Sequence, residues 1–107
     1  MKTRNNQISL IGRLGSEPKT SETATTQVAN FSVAVNEYFT SNSGEKKRTT
    51  WFNVVAWGEL AKKVGEMKKG AQIKITGRMQ SILRQKGNVE YTTYEVVALE
   101  IELETAE

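Results

Sequence analysis

The chain has 107 residues, which is enough for a single domain and too few for two. It contains no cysteine and no histidine, and all 12 acidic residues are glutamate, so disulfides, thiolate metal sites and the usual histidine-based catalytic centres are excluded. All 15 Lys and Arg residues lie within residues 1–94, and five of the 12 Glu residues follow them. The net positive charge of residues 1–94 is equally consistent with a polyanionic partner and with solubility alone.

The N-terminal stretch "QISLIGRLG" alternates apolar and polar residues with period two, which predicts a first strand. Ile8, Leu10 and Gly12 share one face, and Gly12 or Gly15 marks a bulge or turn. The following "SEPKTSETATTQ" is rich in Ser and Thr and holds the only proline, so a loop is predicted there.

The next stretch, "VANFSVAVNEYF", predicts a second strand with Phe31, Val33 and Val35 pointing inward. The polar and basic "TSNSGEKKRT" that follows predicts a connection long enough to form a mobile hairpin arm.

The third predicted strand, "TTWFNVVAWG", is apolar on both faces. Trp51 and Trp57 share one face with Val55, for which the pattern gives no role. Phe52 lies on the opposite face, which we assign to the core or to a subunit contact. Strand parity thus separates a buried side from an exposed aromatic side.

A short helix is predicted in "GELAKKVGEMKKG", because Leu60, Val64 and Met67 recur at helical spacing. We expect it to end near Gly70.

Two further strands follow the helix. They are "AQIKITGRMQSILRQ" and "VEYTTYEVVALEIELE", joined by a "KGN" hairpin turn. In the last strand we expect four apolar residues to be in phase on one face: Val97, Leu99, Ile101 and Leu103.

This order of elements predicts an all-β fold, a five-stranded OB-fold barrel with one short helix between strands 3 and 4. We expect it to occupy residues 1–104. OB barrels bind oligonucleotides, oligosaccharides and proteins, so the fold alone does not give the function. The chain has no apolar run of membrane-spanning length and no signal-type segment at its N-terminus, and we expect a cytoplasmic protein without membrane contact.

Single-stranded nucleic acid is held by Lys and Arg along the phosphates and by aromatic rings that stack on unpaired bases. Trp51 and Trp57 fit the stacking role, since they lie about 20 Å apart along one strand face and can serve separate bases. The residues predicted to bind nucleic acid are Trp51, Trp57, Phe39, Tyr38, Arg13, Asn53, Lys46, Lys47, Arg48, Lys69, Lys74, Arg78, Arg84 and Lys86. Each also has a structural interpretation: aromatic residues pack in cores and interfaces, and basic residues cover solvated loop tips or protect edge strands.

Five stretches carry a resemblance: "NNQISLIGRLGSEP", "VANFSVAVNEYF", "TTWFNVVAWGELAKKV", "KKGAQIKITGRM" and "YTTYEVVALEIE". In this order and near this spacing, over about residues 5–102, they resemble the bacterial single-stranded DNA-binding protein family. The resemblance implies an OB-fold subunit, usually in a homotetramer, that binds single-stranded DNA without strong sequence preference.

The resemblance also assigns roles to individual residues. Trp51 and Trp57 match two stacking positions of the family, and Phe39 matches another. Lys69 matches a position that contacts phosphate, and Phe52 matches a position near the subunit interface.

The sequence departs from the family in two places. Family members often have an aromatic residue in the last hairpin, where this chain has "SILRQKGN" and Arg84 is the nearest match. Typical members also carry a long flexible tail with an acidic tip ending in Pro-Phe. Here we expect residues 105–107 to be a short C-terminal end without that extended acidic tail, which leaves replication and repair proteins open as partners.

We therefore expect a protein without enzymatic activity or cofactor that coats and protects single-stranded DNA during replication, recombination and repair. Its expected partners are single-stranded DNA and further copies of itself, with a homotetramer favoured over a dimer. A related alternative is primosomal replication protein N, a dimeric relative that also binds single strands. A protein-docking OB module and an OB-fold nuclease are the remaining alternatives, and the missing Asp and His make the nuclease the poorest of them.

Overall fold

Six β-strands and one helix account for most of residues 5–104, which are the residues that this computed structural model describes. The elements are β1 (Ile8–Leu14), β2 (Lys19–Glu22), β3 (Gln27–Ser41), β4 (Gly44–Trp57), α1 (Glu59–Gly65), β5 (Gln72–Lys86) and β6 (Val89–Leu103). The C-terminal end expected at residues 105–107 lies outside the described part of the chain.

The strands form one sheet in the order β1-β5-β6-β4-β3-β2, and a further pairing of β1 with β3 closes it into a barrel. The barrel strands are β1, β3, β4, β5 and β6, and α1 connects the third of these to the fourth. The predicted five-stranded OB-fold barrel with one intervening helix is confirmed. All its neighbouring strands are antiparallel except β4 and β6, which pair in parallel at only two positions, Val54 with Val96 and Val55 with Val97.

The loop predicted between the first two strands is wrong in part, because it contains β2. All four residues of β2 are exposed, so they have no apolar alternation for a sequence pattern to detect. The strand forms because it adds to the edge of β3, where Lys19 pairs with Asn30 and Glu22 with Gln27.

The connection predicted over residues 40–49 is also largely strand. β3 continues to Ser41 and β4 begins at Gly44, so that only a two-residue turn separates them. The hairpin arm is therefore a regular two-stranded ribbon. The "KGN" turn between β5 and β6 is confirmed, with Gly87 at a φ of 62°.

Helix α1 ends at Gly65, five residues before the predicted end near Gly70. The amide of Glu66 donates to Lys63 O and that of Met67 donates to Val64 O, which completes the last turn. Met67 lies beyond the helix and still packs against the barrel core. Within residues 5–104 no helix has the length and apolar character needed to cross a membrane.

The barrel interior is filled by aliphatic side chains from every barrel strand and from α1. Among the residues with almost no exposed surface are Leu14, Val33, Ile73, Ile75 and Ile101. No polar or charged residue within the described range is buried. The inward phase predicted for Phe31 and Val33 is confirmed, and Val35 is half-buried against the same core.

The single phase predicted for β6 is wrong. Ile101 is buried, whereas Leu99 and Leu103 are exposed. The position of Leu99 results from an irregularity in the β5–β6 ladder: Gly77 pairs with Ala98 and Thr76 with Glu100, which leaves Leu99 without a partner. Leu103 follows the irregularity and pairs with Ile73, and it is exposed as the last residue of β6. An extra residue of this kind reverses the alternation on the bulged strand and bends it, which helps a barrel to close.

A second, smaller cluster lies outside the barrel interior. It consists of Val28, Val55 and Val97, one residue from each of three neighbouring strands. Val55 is therefore a packing residue on the outer side of β4, and this gives a role to the side chain that the sequence pattern left unassigned.

Candidate nucleic-acid interface

The outward residues of β3 and β4 form one surface, because the register pairs even-numbered residues of β3 with odd-numbered residues of β4. Trp51 pairs with Ala34 and Trp57 with Val28. The two tryptophan side chains are 60% and 50% exposed. We call this surface the tryptophan face; its members are Val28, Asn30, Ser32, Ala34, Asn36, Tyr38, Lys47, Thr49, Trp51, Asn53, Val55 and Trp57.

Trp51 lies against the backbone of Gly15, the residue that follows β1. A β-carbon built on Gly15 would overlap Trp51 Cζ3 and would come within 3.0 Å of Cη2. The Gly15 amide donates to Ser32 O at 3.0 Å, which fixes the backbone beneath the ring. The absence of a side chain at Gly15 therefore leaves the space that the indole occupies.

Gly15→Ala is expected to displace the Trp51 indole and to destabilise the fold by about 1–3 kcal/mol, since the added methyl group overlaps the ring. In a Trp57→Phe background, where Trp51 is the sole tryptophan, its emission should shift to longer wavelength and become more sensitive to acrylamide. Ser16→Ala, one residue further and exposed, is the control. An unchanged emission spectrum in Gly15→Ala would show that the ring does not rest on this backbone.

The two aromatic residues at the end of β3 lie on opposite sides of the hairpin arm. Tyr38 pairs with Lys47 and belongs to the tryptophan face. Phe39 pairs with Lys46 on the other side, where the guanidinium carbon of Arg48 lies 5.2 Å from the centre of the Phe39 ring. Of these two candidates for stacking, Tyr38 is thus the one aligned with the tryptophans.

Of the predicted cationic residues, Arg13 lies beside Trp51, and Lys69 is on a turn that bonds to Arg13 and Leu14. Arg13 pairs with Ala34, which itself pairs with Trp51, so the three residues form a row across β1, β3 and β4. Arg13 Nη1 donates to Gly70 O at 2.9 Å, and the Gly70 amide donates to Leu14 O at 2.8 Å. These bonds hold the turn that carries Lys69 next to the end of β1.

Two more of the cations approach the same surface from β5. Arg78 pairs with Val97, whose neighbour Val55 is on the tryptophan face. Arg84 is further along β5, and its Nε donates to Thr93 Oγ1 at 3.1 Å. This bond orients the exposed guanidinium along the hairpin.

The remaining predicted cations are more distant from the tryptophans. Lys86 is at the tip of the β5–β6 hairpin, paired with Val89. Lys74 pairs with Ile11 on one side and Glu102 on the other, on the part of the barrel formed by β1, β5 and β6.

A groove of about 280 Å³ opens where β4 and β6 diverge beyond their two parallel pairs. Phe31 and Val54 form part of its lining. It brings together two predicted residues, Asn53 and Arg84, with residues that were not predicted. Those additional residues are Ser16, Lys19, Asn30, Thr93, Tyr94 and Glu95.

Residues 5–104 match the model of the Single-strand binding protein family. The chain belongs to this family. A relative named Single-stranded DNA-binding protein 1, from Chlorobaculum tepidum, is 39% identical over 104 residues, which cover 92% of this chain and 64% of the relative. The chain spans about three-fifths of the length of this relative and of those from Neisseria meningitidis.

Two solved structures support the fold of this family member. The Plasmodium falciparum SSB in complex with ssDNA superimposes with a TM-score of 0.81 at 24% identity, covering 96% of each chain. A deletion mutant of the single-stranded DNA binding protein from Thermus aquaticus gives a TM-score of 0.80 at 26% identity, covering 94% of this chain and 50% of that one.

The most exposed aromatic residue that the sequence prediction omitted is Tyr94 of β6, with 62% of its surface accessible. Tyr91, three residues earlier, is also exposed. Both are visible in the sequence as "YTTY", an aromatic pair in a polar stretch of a strand. Lys19 was missed for a different reason, because the stretch that contains it was predicted to be a loop.

Proposed function

We propose that this member of the Single-strand binding protein family binds single-stranded DNA without strong sequence preference and protects it during replication, recombination and repair. The observation that carries the proposal is the pair of half-exposed tryptophans on one outward face, with Arg13 in the row beside Trp51. Stacking on such rings tolerates any sequence because every base has a π-face.

The aromatic and the basic side chains of the site have different roles in the proposed binding. Trp51, Trp57 and Tyr38 offer rings to successive bases along the tryptophan face. The cations around them neutralise phosphates and release counterions, so binding weakens as salt rises. The protein acts by covering the single strand, which prevents the strand from re-pairing and shields it from nucleases. No chemical step or cofactor is part of this function. We place it in the cytoplasm, where such strands arise.

We also infer that the chain self-associates, as a homotetramer with a dimer as the alternative. Phe52 supports this inference, because it is half-buried at the margin of the core, where it pairs with Val33, and keeps part of its ring accessible. Light scattering with and without dT oligomers of increasing length measures the number of subunits and the number of nucleotides bound. Replication and repair proteins remain open as partners.

The direct test of the proposed function is titration with a dT oligomer, followed by tryptophan emission at several salt concentrations. Stacking on Trp51 and Trp57 should quench the emission strongly, and the affinity should fall steeply with salt. Unchanged emission at saturating oligomer, with binding confirmed by light scattering, would rule out the stacking mechanism and favour a protein-docking role for the face.

Lys69→Ala is expected to reduce the slope of log K against log salt by up to about 0.7, the share of one phosphate contact on a single strand. The matched control is Lys63→Ala, which removes the same charge from the exposed side of α1. The affinity of each variant for a dT oligomer is measured between low and high salt. Equal slopes in both variants would show that Lys69 does not contact a phosphate of the bound strand.

A further inference from the structure

The groove between β4 and β6 contains groups that the stacking mechanism does not use. On its β3–β4 side are the side-chain amides of Asn30 and Asn53. Neither amide makes a side-chain hydrogen bond to any residue within 5–104. Each can donate two hydrogen bonds and accept others, so this wall adapts to the edge of a ligand.

On the opposite wall is a carboxylate, which is unexpected on a surface that is to receive a polyanion. Glu95 is half-buried, and its Oε2 accepts a hydrogen bond from Gln80 Nε2 at 2.9 Å. This bond fixes the orientation of the carboxylate, and Oε1 has no side-chain hydrogen-bond partner within residues 5–104. A carboxylate repels phosphate but accepts strongly from an amino group.

The ends of the groove suit a nucleobase and its backbone. Tyr94 is part of the lining, and its exposed side chain points to the other face of β6 from that of Glu95. Arg84, oriented by its bond to Thr93, supplies the cation for the adjoining phosphate. Polar groups and a cation thus line a single space of about 280 Å³.

We infer that this groove takes one base of the bound strand, reads its Watson–Crick edge and favours cytosine over thymine. The exocyclic amino group of cytosine donates to Glu95, and the amides of Asn30 and Asn53 donate to its ring nitrogen and carbonyl oxygen. Thymine presents a carbonyl oxygen at the amino position, where the carboxylate would repel it. The inference rests on the proposed function, and it adds a modest base preference at one position to a surface that otherwise reads no sequence.

The test compares the affinities of oligo-dC and oligo-dT of equal length for the wild-type protein and for Glu95→Gln. The amide introduced by this substitution can accept from cytosine or donate to thymine, so the variant loses discrimination while keeping the shape and the partner of the side chain. We expect the dT-to-dC affinity ratio to rise about fivefold per occupied groove, the weight of one hydrogen bond. Binding is measured by competition against a labelled oligomer.

The matched control is Glu90→Gln, which makes the same change on the same strand at an exposed position outside the groove. It should raise both affinities by the same factor, through charge alone. If Glu95→Gln also changes both affinities equally, the base-reading groove is refuted while single-strand binding stands. If the wild-type protein binds neither oligomer, the proposed function itself fails.

Discussion

Replacing Trp51 and Trp57 together with alanine is expected to weaken binding of a dT oligomer by about 2–6 kcal/mol per subunit engaged, since each stacked base contributes about 1–3 kcal/mol. The two effects should add, because the side chains lie roughly 20 Å apart along β4 and share no partner. The slope of affinity against salt should hardly change, because no charge is removed. Fluorescence anisotropy of a labelled oligomer measures both quantities without relying on tryptophan emission.

The matched control for this variant is Trp51→Phe with Trp57→Phe, which keeps a ring at each position. It should retain most of the affinity that the alanine variant loses. Binding of the alanine variant within twofold of the wild type would contradict the assignment of the tryptophan face as the stacking surface.

Ile75→Ala is expected to lower the free energy of unfolding by about 2–5 kcal/mol, since it leaves a cavity in a core that has little room to collapse. Ile75 has no exposed surface and pairs with Leu10 on one side and Ile101 on the other, so three barrel strands meet at its side chain. The total free energy of unfolding of a domain of this size is about 5–15 kcal/mol. Urea unfolding of the wild type and the variant at the same protomer concentration measures the loss, because any contribution of self-association is then held constant.

Thr76→Ala is the control for the core prediction, because the neighbouring residue points outward on the same strand. It should cost no more than about 1 kcal/mol, the range of strand propensity. Equal losses in the two variants would show that β5 does not contribute to the core in the phase described.

The sequence predicted those parts of the fold that depend on local alternation. Strand β1, the parts of β3 and β4 outside residues 40–49, the short helix and the outward position of the tryptophans follow from period and parity alone. β2 could not be predicted, because its residues are polar and exposed and pair only with an edge provided by the fold. The predicted alternation of β6 was wrong at Leu99, because a bulge depends on the pairing of two strands and is not a property of one strand's sequence.

The candidate site divides in the same way. Trp51, Trp57 and the surrounding cations could each be identified within a single short stretch of sequence. The groove is not, because Asn30, Asn53 and Glu95 come from three strands and meet only where β4 and β6 diverge. Tyr38 and Phe39 lie on opposite faces because they are consecutive residues of β3. The two-residue turn after Ser41 sets the register that pairs Tyr38 with Lys47 and Phe39 with Lys46.

The cluster of Val28, Val55 and Val97 affects how much conformational entropy the protein loses when a strand binds. These valines lock β3, β4 and β6 together on the outer side, between the positions of the two tryptophans along β4. Because β-branched side chains have few rotamers to lose, that part of the surface is already ordered before any ligand arrives. If the two tryptophans stack on bases as proposed, the spacing of their positions along β4 is therefore set before binding, and more of the stacking energy remains available as affinity.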